Sequence, residues 1–213
     1  EGIAGVCWNV SLMALRILDS DGEGSVNDAI AAIDYAIAMG ANVINASWGT
    51  YDYLYSQPLF EAIQRAEAAG ILFVAGAGND GYPWAAYPAA YGRYYGLNNV
   101  ISVMATDHND NRAYWSLDSA SNYGYDVDLG APGMFILSTF PTNETDAMTD
   151  SDYSTDYDVL EGDDVPVAQG RSISGTSAAA PHVAGAAALM WSVNPNFTHT
   201  QIKQLILRSV DKT

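Results

Sequence analysis

Residues 71–75 read "ILFVA", five side chains with no polar group among them. A strand with one wet face alternates apolar and polar residues. A run this unbroken belongs to a strand covered on both faces, as in the middle of a parallel sheet. Residues 100–105, "VISVMA", read the same way. Around these runs the spacing turns helical. Ser25 opens a helix with Asp28 three residues on as its capping-box partner. Val26, Ile30, Ile33 and Ile37 then share a face, and Gly40 ends it. A second helix is predicted over 58–69, stopped by Gly70, and two more over 177–191 and 198–209, where Thr198 and Gln201 repeat the capping pattern. Residues 11–18, "SLMALRIL", and 42–47, "NVINAS", complete the strand candidates. Strands alternating with helices predict an α/β fold, a mainly parallel central sheet flanked by helices. In such sheets chemistry gathers at the carboxyl ends of the strands.

Composition narrows the partners. Acidic residues number 25 against 8 basic ones, a net charge of -17, and that field repels a polyanion such as nucleic acid. No run reaches the ~18 apolar residues of a membrane helix. Cys7 is the one cysteine, so no internal disulfide forms, and its apolar setting reads as a small buried thiol. Residues 142–164, "TNETDAMTDSDYSTDYDVLEGDD", break the periodicity and read as an acidic loop inserted in the single domain 1–213. Their oxygens suit calcium, but the spacing fits no EF-hand.

The chemistry points to residues 175–185, "GTSAAAPHVAG". Ser177 stands where a glycine-containing loop gives way to an alanine-rich helix, which places its hydroxyl at a positive helix start among free backbone N–H groups. Pro181 is expected within the first turn or so, where proline is tolerated. A serine there could be no more than a cap. The whole string, however, closely resembles the nucleophile motif of the subtilisin-like serine peptidases, the subtilases. The resemblance implies that Ser177 attacks the scissile carbonyl of a polypeptide. Residues 74–81, "VAGAGNDG", resemble the same family's oxyanion segment, with Asn79 as side-chain donor and the Ser177 backbone N–H as the second. Residues 42–50, "NVINASWGT", are similar to its substrate-binding edge, so Ser47, Trp48 and Gly49 would line the specificity pocket opposite Ala77 and Gly78. Residues 129–133, "LGAPG", and the C-terminal helix agree as well. The family fold this implies is a three-layer α/β sandwich. Structural calcium, a secreted location and a pro-segment come with the resemblance, while catalysis itself needs no cofactor.

A serine hydroxyl needs a base, and the family order is Asp, His, then Ser. The family's Asp and His motifs are both absent from this chain, whose opening resembles the stretch just after the family's His helix. The expectation is therefore a fragment, the C-terminal two-thirds or so of the domain, with the triad partners upstream and no activity alone. His182 belongs to the nucleophile motif as a structural residue; His108 and His199 lack motif context. The sedolisin type, which places an Asp where Asn79 stands, fits less well. A non-catalytic scaffold that binds proteins is the alternative function.

Overall fold

The computed structural model describes residues 4–50, 55–115, 119–138 and 171–211; the acidic stretch 142–164 lies outside them. The run at 71–75 becomes β2 (Leu72–Gly76), flanked by β1 (Val43–Ala46) and β3 (Val100–Thr106), with β4 (Leu129–Pro132) beyond. All three pairings are parallel. Every residue of β2 is buried, and successive side chains go to opposite faces, as the pleat requires. Phe73 and Ala75 meet Ile33, Leu59 and Ile63. Leu72 and Val74 meet Val183, Ala187 and Ile202. Helices α1 (Val26–Ala38) and α2 (Gln57–Ala68) thus cover one face, and α3 (Thr176–Val193) and α4 (His199–Ser209) the other. Each large apolar side chain buried this way contributes about 1.5–3 kcal/mol, which is why neither face of β2 tolerates a polar residue. A short antiparallel pair, β5 (Ile136–Ser138) and β6 (Arg171–Ile173), leads into α3.

The helix ends obey their signals. Ser25 Oγ accepts from the Asp28 amide at 3.1 Å and donates to the Asp28 carboxylate at 2.6 Å. Gly40 and Gly70 end α1 and α2 with φ of +72° and +82°, a backbone that a side chain resists. At α4 the Thr198–Gln201 box closes in both directions.

One expectation fails. Residues 11–18 form no strand. They lie along the surface, with Leu12 92% exposed and Trp8 just before them 80% exposed. A strand exists by pairing, and among the described residues the outer edge of β1 has no neighbour. Apolar composition supplies the wish for burial but not the partner.

Behind the β1 end, Tyr55, Tyr87, Tyr91 and Tyr95 pack ring against ring, the closest pair being Tyr87 and Tyr91 at 4.7 Å. Burial pushes the Tyr91 phenol up to about 12 and raises Tyr87 as well, from an ordinary value of 10.0. The unfolded chain ionises these phenols near their ordinary value, while the folded chain keeps them protonated further. Their stabilisation is therefore complete below about pH 10 and is lost as the pH climbs toward 12. Melting curves across that window should decline more steeply for the native chain than for Tyr87→Phe; parallel declines would contradict this reading.

Candidate active site

Loops from three strand ends converge on the start of α3. Ser47 comes directly after β1, Gly78 and Asn79 after β2, and Gly133 after β4. Gly133 donates to the Thr106 carbonyl at 3.0 Å and accepts from the Gly175 amide at 2.7 Å, which docks the approach to α3 on the sheet. Gly76 lets the helix come close, since a Cβ there would lie 2.9 Å from Thr176 Oγ1.

Thr176, buried at the first position of α3, organises the loop around it. Its hydroxyl accepts from the Gly78 amide at 3.1 Å and donates to Asn79 Oδ1 at 3.1 Å. Its own amide also donates to Asn79 Oδ1, at 2.9 Å. Two donors on one oxygen fix which end of the carboxamide is which, so Nδ2 is the end that can donate. A Cβ on Gly175 would lie 3.1 Å from Ser177 Oγ and 3.4 Å from Asn79 Nδ2. The hydroxyl and the amide nitrogen therefore border one small space, and only glycine leaves it open. The backbone agrees, with φ +146° at Gly175. Ser177 itself is the second residue of α3, where backbone N–H groups have no helical acceptor and the helix end is positive.

The other expected residues lie around this centre. Ser47 Oγ donates to the Ser177 carbonyl at 2.7 Å. Trp48 packs half-buried against the core on the α1 and α2 side. Residues 85–87 join the 47–50 edge to the 77–79 loop: Ala86 donates to the Ala77 carbonyl at 2.7 Å, and Tyr87 and Thr50 exchange bonds of 2.9 and 3.3 Å. A Cβ on Gly49 would come within 3.1 Å of the Tyr87 carbonyl, so a side chain there requires that neighbour to give by a few tenths of an ångström.

Sequence reasoning missed Asn122. It is fully buried; Nδ2 donates to the Ala77 carbonyl at 3.0 Å, and Oδ1 accepts from the Asp80 and Tyr82 amides at 3.1 and 3.0 Å. It staples the loop that carries Asn79. No motif surrounds it, so no local signal announced it. Pro181 also departs from expectation. It is the sixth residue of α3, in the second turn, where proline normally removes a helical bond.

No histidine among the described residues hydrogen-bonds the Ser177 hydroxyl. His182 Nδ1 lies 2.9 Å from the Ala178 carbonyl one turn back, so that nitrogen carries the proton. His108 sits in an exposed loop beside Asn109, and His199 opens α4.

A profile described as the subtilase family matches residues 1–213. The chain belongs to the subtilase family. Among relatives of this subtilase, Subtilisin DY of Bacillus licheniformis is 36% identical over 206 residues, covering 95% of this chain and 61% of its own length. A thermostable alkaline protease of Halalkalibacterium halodurans is 36% identical over 205 residues, covering 96% and 46%. A solved cold adapted subtilisin-like serine proteinase superposes with TM-score 0.68 at 27% identity, covering 93% of this chain and 59% of that one. This subtilase therefore spans about half to three-fifths of the length of these relatives.

The packing of the site makes two substitutions informative. Thr176→Val keeps the shape and deletes the hydroxyl, leaving the buried Gly78 amide without that acceptor and Asn79 Oδ1 without one of its two Thr176 donors. A stability loss of about 1–3 kcal/mol is expected, and any reaction that uses the Asn79 carboxamide should slow by about tenfold as that group loosens. Unchanged kcat in a destabilised protein would show that Thr176 serves folding alone. Ala178 follows Ser177 directly and is buried. A thioether beside the site is open to oxidation. The full-length protein should thus outlast its Ala178→Met variant in peroxide, and equal inactivation rates would refute this.

Proposed function

We propose that this chain is the nucleophile-bearing part of a serine endopeptidase that hydrolyses polypeptides through an acyl-enzyme on Ser177. The observation that carries the reading is the single space shared by Ser177 Oγ and Asn79 Nδ2 at the start of α3. A peptide carbonyl placed there meets the hydroxyl as its carbon is attacked. As the new C–O bond forms, the serine proton passes to a base, and the oxyanion takes hydrogen bonds from Asn79 Nδ2 and the Ser177 N–H. The tetrahedral species then collapses, the amine leaves with that proton, and water releases the acid by the same steps in reverse order.

The positions of this chain's three histidines support a base supplied from elsewhere. In this proposal it comes, with its orienting carboxylate, from sequence beyond these 213 residues. Residues 1–213 alone should then turn over no peptide. The edge at Ser47, Trp48 and Gly49, facing Ala77 and Gly78, would hold the substrate, since that is where the two loops are brought together. A pro-segment and a secreted location belong to the same proposal; no helix among the described residues is long and apolar enough to cross a membrane. Structural calcium is proposed for the full-length protein only. Among the described residues no three His, Cys, Asp or Glu side chains come together to hold a metal.

The test is a fluorophosphonate probe and a chromogenic peptide, applied to the full-length protein and to residues 1–213. Covalent labelling of Ser177 with peptide turnover in the full-length protein alone is expected. Sustained turnover by 1–213 would sink the claim about the base, and a full-length protein that neither labels nor cleaves would sink the peptidase reading.

A further inference from the structure

Pro181 stands four residues after Ser177. In an α-helix the amide at 181 would donate to the carbonyl at 177, and proline has none. The Ser177 carbonyl has lost its helical donor in the residue that bears the nucleophile. The Ser47 hydroxyl donates to that carbonyl at 2.7 Å, across 130 residues of sequence. Ser47 Oγ is held in turn by Asn45 Nδ2 at 2.9 Å.

Taking the peptidase reading as given, we propose that Ser47 is a positioning residue for Ser177, replacing the hydrogen bond that Pro181 removes. The peptide unit between Ser177 and Ala178 is then pinned at both polar ends. Its N–H donates to the Gly175 carbonyl at 3.1 Å, and its C=O accepts from Ser47. With that plane fixed, the backbone of Ser177 is fixed, and so is the direction in which its hydroxyl leaves the chain. Proline at 181 keeps the nucleophile's carbonyl out of the helical ladder and hands it to the end of β1. The start of α3 is then tied to three strand ends: to β1 through Ser47, to β2 through Thr176 with Gly78 and Asn79, and to β4 through Gly175 with Gly133. This role differs from lining a pocket, because the hydroxyl proton is committed to the protein rather than to a substrate.

The test is a cycle in the full-length enzyme. Ser47→Ala should lower kcat by about ten- to a hundredfold with KM little changed, as a displaced nucleophile does. Ser47→Thr, which keeps the hydroxyl, should restore most of it. The decisive arm is the Pro181→Ala background, where residue 181 regains an N–H for the Ser177 carbonyl. There Ser47→Ala should cost no more than about threefold relative to Pro181→Ala alone. An equal loss in both backgrounds would overturn the proposal, as would a rise in KM with kcat intact, which would make Ser47 a substrate contact. Thermal melts of the native protein and its four variants identify any that fails to fold, and fluorophosphonate labelling rates at Ser177 give a second reading of the same cycle. Failure of the peptidase reading looks different: the unmodified full-length protein would then neither label nor turn over.

Discussion

Ser177→Ala in the full-length protein should lower kcat for a chromogenic peptide by ~10⁶, the size of loss known when the nucleophile is removed from subtilisin itself. The fold should be untouched. Ser177 is part-buried at the second position of α3, alanine is the best helix former, and the Ser177 carbonyl keeps its bond from Ser47 whatever side chain stands there. The Gly175 amide still reaches Gly133, and Thr176 still holds Asn79. Melting temperature should therefore stay within a degree or two of the native value, since about 1 kcal/mol moves a domain of this size by only ~2–4 °C. Steady-state hydrolysis and thermal unfolding check the two halves together. A variant that retains a tenth of the activity would show that another group is the nucleophile, and His182, bound to its own helix, offers no replacement.

What the sequence discloses and what it withholds divide along a physical line. The two-faced burial of β2 is local: an unbroken apolar run calls for cover on both sides, and residues 71–75 are all buried. The caps at Ser25 and Thr198 are local too, since donor and acceptor sit three residues apart. Ser177 and Asn79 were legible as a resemblance between strings, not as geometry. The strand expected at 11–18 shows the converse. Its apolar content is real, but pairing is a property of a neighbour, and none of the described residues provides one. Asn122, Thr176 and the Ser47 bond were invisible for the same reason. Their partners lie 40 to 130 residues away, and an Asn, a Thr or a Ser carries no mark of which distant amide or carbonyl it will meet. The placement of Pro181 becomes intelligible once Ser47 is seen beside it.

Asn79→Leu should cost ~10²–10³ in kcat with KM nearly constant, the magnitude that loss of such a donor has in subtilisin. Asn79 also has a second duty. Its Oδ1 accepts from the amide and the hydroxyl of Thr176, and leucine leaves both donors unanswered beside a buried residue. A stability loss of about 1–3 kcal/mol should accompany the kinetic one, and a sceptic could assign the whole effect to a disordered loop. Asn79→Asp separates the two duties. The carboxylate retains oxygens for Thr176, so folding should be preserved, while the donor is gone and a negative charge faces the developing oxyanion. We expect its melting temperature to lie close to the native one and its kcat to fall at least as far as that of Asn79→Leu. Activity in Asn79→Asp near the native level would remove Asn79 from the chemistry and leave it a strut for Thr176. If kcat falls and the melting temperature holds, the Nδ2 hydrogen bond serves the transition state, and the two bonds from Thr176 explain how its direction is set before any substrate arrives.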